Sequence, residues 1–139
     1  MDGLATLRLS VESMPVTQLF GFSLTVLEKG RTEVVLPYRR EISFREGAFP
    51  ATVLGALADV SAGLACMTLL DDGAISSTVG FTISVLAPAV GERLVGRGRV
   101  VQAGKTLSVG AADIFVARGD AEVLCATALV TMRNPPLLS

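Results

Sequence analysis

The stretch FPATVLGALADVSAGLACMTLLDD, residues 49–72, decides how this chain is read. Between Pro50 and Leu70 its one charged residue is Asp59. The length suits a single long helix, and the segment has no polar face. A helix that is apolar all round either crosses a membrane or is surrounded by protein. A carboxylate at mid-span would cost on the order of 3 kcal/mol in a bilayer. Two glycines, many alanines and amphipathic neighbouring segments also argue against a membrane span. We therefore read 50–70 as a helix wrapped by a curved sheet. Ala51, Gly55, Ala56, Ala58, Ala62 and Gly63 are small enough to let other backbone pack close. Pro50 suits the first helical turn, where a missing N–H is harmless. Asp71, Asp72 and Gly73 close the helix, with the two acids just beyond its negative end.

Outward from this helix the pattern is that of strands. Upstream, FSLTVLEKGRTEVVLPYRR alternates, with Phe22, Leu24 and Val26 on one face and Val34 and Leu36 sharing a face later. The EKGR turn at 28–31 between them predicts a hairpin. EISFREGAFP reads as a loop. VESMPVTQLFG, broken by Pro15, predicts a short N-terminal helix or turn. Downstream, ISSTVGFTISVLAPA, ERLVGRGRVVQAG, KTLSVGAADIFVARG and AEVLCATALVTMR each have period-two character. Turns at PAVGE, AGK and RGD separate them. NPPLLS reads as a loose tail. The predicted order is hairpin, long helix, four antiparallel strands: one α+β domain over 1–139, with its core at about 20–133.

Composition narrows the chemistry. The 139 residues include no histidine, which excludes Ser-His-Asp and Cys-His catalysis and any His-ligated metal site. No metal site or cofactor is expected. Cys66 and Cys125 lie far apart in apolar surroundings and read as reduced core residues. The net charge of −1 and unclustered basic residues give no nucleic-acid footprint. The start MDGLATLRLSVESMPV lacks the basic segment and continuous apolar run of a signal peptide, so a cytoplasmic protein is expected. Half of the residues are hydrophobic, generous for a small monomer, which points to a second buried surface between subunits.

Asp59 stands out because a lone buried carboxylate must be paired, protonated or open to a cleft. Gly55, Ala56, Ala62 and Gly63, at helical spacings of three and four, flank it with little bulk. Two readings stay open on these grounds: a core tether bonded to a neighbouring loop or strand, and a functional group at a cleft.

The segment GAFPATVLGALADVSAGLA resembles the central-helix motif of hotdog-fold acyl-CoA thioesterases of the phenylacetate-degradation (PaaI-like) type, N-x-x-G-x-x-H-G-G-x-x-x-x-L-x-D. Gly47 matches the first glycine, and Leu57 and Asp59 match the L-x-D end. The later run STVGFTISVLAPAVGERLVGRGRVVQAGKTLSVGAADIFV resembles the same family's strands. The likeness extends over about 20–133. It implies a hotdog fold: a long central helix wrapped by a curved antiparallel sheet of five to six strands. Departures fall at the helix start. Phe44 stands at the family's Asn, Pro50 at its His, and Ala51 and Thr52 at its Gly-Gly.

The resemblance implies hydrolysis of an acyl-CoA, with Asp59 as general base or nucleophile. The Ala51 N–H at the helix start would hold the oxyanion. Thr78 matches a Ser or Thr that orients water near the partner subunit's carboxylate, with Ser76 and Ser77 as secondary candidates. Phe44, Phe49, Leu54 and Phe81 are candidate walls of the acyl site, shaped at its entrance by Gly47, Pro50 and Thr52. Arg97, Arg99 and Lys105 are candidates for the CoA phosphates. The family's working unit is usually a homodimer with sites at the interface, and tetramers are common. A binding protein that holds acyl-CoA, fatty acid or an aromatic ligand without turnover is the alternative, favoured by the apolar pair Phe44 and Pro50.

Overall fold

The computed structural model describes residues 2–71 and 74–135; the 136–139 part of the predicted tail and two residues of the predicted helix stop, Asp72 and Gly73, lie outside them. The elements are α1 (Gly3–Glu12), α2 (Pro15–Phe20), β1 (Ser23–Glu28), β2 (Arg31–Pro37), a short 3-10 turn (Arg40–Ile42), α3 (Ala51–Met67), β3 (Ser77–Val85), β4 (Arg93–Ala103), β5 (Leu107–Arg118) and β6 (Ala121–Arg133). The strands form one antiparallel sheet in the order β1-β2-β4-β5-β6-β3. The α+β hotdog expectation, a long helix wrapped by six strands, is met.

The helix packs against the sheet at close range, and glycines on the strands make this possible. A Cβ at Gly110 would lie 2.7 Å from the Ala62 carbonyl oxygen, and one at Gly98 would overlap the Ser61 carbonyl. Polar groups at this crossing are satisfied. Thr32 Oγ1 donates to Ser61 O at 2.6 Å, and Ser61 Oγ donates to Leu57 O at 2.7 Å. Leu54, Leu57, Ala58 and Ala62 are buried against Leu36, Leu94, Ile114 and Val130.

Three details of the helix differ from the sequence reading. The helix runs to Met67 and not to Leu70, with Thr68 as its C-cap. Pro50 is the N-cap, in extended geometry (φ −76, ψ 161), so the first helical residue is Ala51. The helix is not covered all round. A strip along Thr52, Ala56, Asp59 and Val60 is exposed or half-buried, while the sheet covers the remaining faces.

The N-terminus holds two helices where the sequence suggested a short helix or a turn. Asp2 caps α1 by accepting from the Ala5 N–H at 2.7 Å. Leu7 and Val11 then bury against Leu64 of α3. Pro15 opens α2, and Gly21, at φ 86, closes it in the left-handed conformation that glycine adopts without strain. The N-terminal pair thereby covers part of the second half of α3 that the sheet leaves open.

Strand β3 is the far edge of the sheet. It pairs with β6 on one side, and its other side is unpaired among the described residues. Val79, Phe81 and Val85 on it are each about half exposed (56%, 45% and 50%). The β3–β6 register slips between Thr78 and Gly80, leaving Val79 as a bulge. Thr78 stands opposite Met132 and Phe81 opposite Val130, and both partners are buried. The bulge thus turns Thr78 and Phe81 to the same, helix-facing side although they are three residues apart.

Candidate active site

Asp59 is half-buried on the uncovered strip of α3. Thr78 meets it from the edge strand: its hydroxyl donates to Asp59 Oδ1 at 2.6 Å. The same hydroxyl lies 3.4 Å from Met132 Sδ, but its single proton goes to the carboxylate, the far stronger acceptor. Among the described residues no protein group bonds Oδ2, and no cation pairs with Asp59. The carboxylate thus has one oxygen held and one free, and the free one is available to a water. A pocket of about 230 Å³ opens beside it, lined by apolar residues of α3 and of the N-terminal helices, with Ser76 and Met132. Thr78 and Asp59 meet within one chain, whereas the sequence reading brought Thr78 from the partner subunit.

The start of α3 forms a second centre. Pro50 gives no side-chain cap, and among the described residues the Ala51 and Thr52 N–H groups have no acceptor. These are two of the orphan donors at the positive end of the helix dipole. Ala51 is exposed beside a pocket of about 460 Å³ that it shares with Phe44, Phe49, Pro50, Leu54 and Val85. Phe44 is 62% exposed at its rim, with the Arg45 guanidinium 5.4 Å above the ring. Phe49 and Leu54 are buried and form the floor. Gly47 takes φ 73 and its carbonyl accepts from Gly91, so its part is to shape the loop that carries Phe44. Phe81 sits between the centres: its ring would be 3.5 Å from a Cβ at Gly55.

The two centres are separated along one helix. Ala51 and Asp59 are eight residues apart, about 12 Å at 1.5 Å per residue. Within a single chain they cannot contact the same carbonyl group.

The proposed phosphate ligands lie elsewhere. Gly96 and Gly98 face the helix, so Arg97 and Arg99 between and after them point to the opposite side of the sheet. Arg97 bonds Glu33 at 3.0 Å and Glu122 at 2.7 Å, and its guanidinium lies 4.8 Å from the Phe115 ring centroid. The hydrogen bond to Glu122 raises the pKa of Arg97 above its ordinary value, and the reciprocal bond lowers that of Glu122. Arg99 pairs with Asp113 at 3.5 Å. Lys105 is exposed near Arg133 and Val79, in a separate cleft. None of the three lines the pocket beside Asp59.

Other chemistry finds no support in the residues. Burial pushes both cysteine thiols up to about 11, so they are protonated at neutral pH and are poor nucleophiles. Among the described residues there is no group of acids and cysteines able to hold a metal ion. Among the described residues no helix is long and apolar enough to cross a membrane. The sequence reading missed the pocket wall made by Met14, Val16 and Thr17. Its signal was present in the Leu7, Val11 spacing that packs α1 onto α3.

Comparison with known proteins agrees with this architecture. A model of the thioesterase superfamily matches residues 51–123. A solved thioesterase family protein from Silicibacter pomeroyi is 32% identical, with a TM-score of 0.88 over 92% of this chain and 94% of that one. A phenylacetic acid degradation-related protein from Ralstonia eutropha has the same fold at 22% identity, with a TM-score of 0.77 over 92% of this chain and 98% of its own. A curated relative from Saccharolobus solfataricus, described as a candidate esterase, is 31% identical over 83 residues, 60% of this chain. The chain spans 59% of the length of that relative.

Proposed function

The chain belongs to the thioesterase superfamily, and from that premise we propose that it hydrolyses an acyl-CoA to acid and thiol with Asp59 as general base. The observation that carries the reading is the Asp59 carboxylate, anchored by Thr78 through one oxygen and free at the other, beside an apolar pocket. A water on the free oxygen attacks the thioester carbonyl while Asp59 takes its proton. The tetrahedral oxyanion is held by the Ala51 N–H, with Thr52 N–H beside it. Collapse expels the thiolate, which recovers the proton from Asp59.

The 12 Å between Ala51 and Asp59 requires a second copy of the chain. Two α3 helices laid antiparallel about a two-fold axis would put the Ala51 of each beside the Asp59 of the other. The unpaired edge of β3 and its exposed Val79, Phe81 and Val85 offer the surface for such a homodimer. The pocket of Phe44 and Phe49 at the helix start would then adjoin the partner's Asp59. Two buried, unpaired cysteines suit a reducing compartment, and we place the protein in the cytoplasm.

A non-catalytic acyl-ligand binding protein is the second reading, favoured by Phe44 and by Pro50, which has no N–H or polar side chain to offer at the helix start. Thiol release from a panel of short, long and aromatic acyl-CoAs separates the two. Turnover supports the hydrolase. Saturable binding without thiol release would replace it with the binding protein.

A further inference from the structure

The pocket beside Asp59 has one feature that hydrolysis by Asp59 and Thr78 leaves unused. Ser76 is 4% exposed and lines the pocket, and among the described residues its hydroxyl has no hydrogen-bond partner. A buried hydroxyl without a partner is costly, and native structures keep few of them. The rest of the lining is chiefly aliphatic or thioether: Val11, Met14, Val16, Val60 and Met67 among others. The second polar group away from the Asp59–Thr78 pair is Thr17, buried in the wall made by α2.

Given the acyl-thioester reading above, on which this step rests, we infer that Ser76 determines specificity: the pocket takes a compact acyl chain carrying one hydrogen-bonding oxygen, which the Ser76 hydroxyl meets, and the α1–α2 pair limits its length. Position and size both bear on the choice. Ser76 precedes Thr78 by two residues, about 7 Å of extended chain, so the oxygen belongs several bonds beyond the reacting carbonyl. A hydroxyl or a carbonyl on the acyl chain would serve, since Ser76 both donates and accepts. The pocket is small, about 230 Å³, which favours a short acyl chain over a long one. Met14, at the α1–α2 junction, is 42% exposed and forms part of the wall, so it can be enlarged without disturbing the core.

The test compares hexanoyl-CoA with 5-hydroxyhexanoyl-CoA and 6-hydroxyhexanoyl-CoA, and the non-hydrolysable thioether analogues of all three. In wild type, one hydroxylated form is expected to exceed hexanoyl-CoA about tenfold in kcat/KM, and its analogue to bind more tightly by a similar factor. Ser76→Ala is expected to bring the pair within about twofold. Met14→Trp is expected to lower hexanoyl against acetyl hydrolysis about tenfold. Thermal melts of both variants separate loss of recognition from loss of fold. Hydrolysis with no preference for oxygen, unchanged in Ser76→Ala, overturns the inference and leaves the hydrolase reading standing. No hydrolysis, with the same preference in analogue binding, overturns the hydrolase and keeps the pocket assignment. Neither hydrolysis nor preference overturns both.

Discussion

The Thr78 hydroxyl donates to Asp59 Oδ1 at 2.6 Å, joining the edge strand of the sheet to the uncovered face of the central helix. Asp59 is half-buried and lines the apolar pocket, with one oxygen anchored by Thr78, and among the described residues no cation pairs with it.

On the proposed mechanism Thr78 positions Asp59, so its removal should lower turnover more than binding. Thr78→Val keeps the shape and deletes the donor. We expect kcat to fall about ten- to a hundredfold with KM changed less than threefold. Thr78→Ser should restore most of the rate. Steady-state kinetics of the three proteins check this, and a Val variant with wild-type kcat would remove Thr78 from the mechanism.

Ala51 offers a backbone test because proline is tolerated at the first helical position. Ala51→Pro removes the N–H and little else. It should cost about 100-fold or more in kcat while the melting temperature stays near wild type. Mixing inactive Ala51→Pro and Asp59→Asn subunits should then rescue activity, because each mixed dimer holds one intact site. Random exchange predicts about a quarter of wild-type activity. Absence of rescue, with mixed dimers demonstrated by mass, would mean that the site does not span two chains.

Arg97 and its two carboxylates serve stability. The Glu122 carboxyl is lowered from its ordinary 4.5 by the Arg97 hydrogen bond, so its contribution is present above that value and lost as pH falls through the folded value. The pair is partly exposed, which limits the effect to about 1 kcal/mol or less. Glu122→Gln should therefore melt slightly below wild type at pH 7. The difference should shrink as the pH is lowered below 4.5. Denaturant midpoints from pH 7 to pH 3 measure it, and a difference that grows in acid would refute the assignment.

Much of the fold was legible because strong local signals agreed with one another. The apolar 50–70 segment, the EKGR turn and four alternating strands define a hotdog order without reference to side-chain detail. Asp59 was legible as well, since it is the one charge in that helix. Less legible were features that depend on register and on which face of the sheet a residue occupies. Strict alternation puts Thr78 and Phe81 on opposite faces, and only the bulge at Val79 unites them. Arg97 and Arg99 looked like free cations on a strand. The glycines at 96 and 98 turn them away from the helix, toward carboxylates on neighbouring strands that pairing alone brings near. Close helix–sheet contact was anticipated from small residues on the helix, while the decisive Gly98 and Gly110 lie on the sheet. That Ser76 shares a pocket with residues of α1 and α2 depends on tertiary packing and is not visible in the local pattern.

The most direct test of the central claim is thiol release by Asp59→Asn beside wild type on the best acyl-CoA of the panel. Asn keeps the size and can still accept from Thr78, but it cannot take a proton. The account predicts that kcat falls by about 10³-fold or more, with the dimer and the affinity for a thioether analogue preserved. A folded Asp59→Asn protein that hydrolyses at near wild-type rate would contradict it.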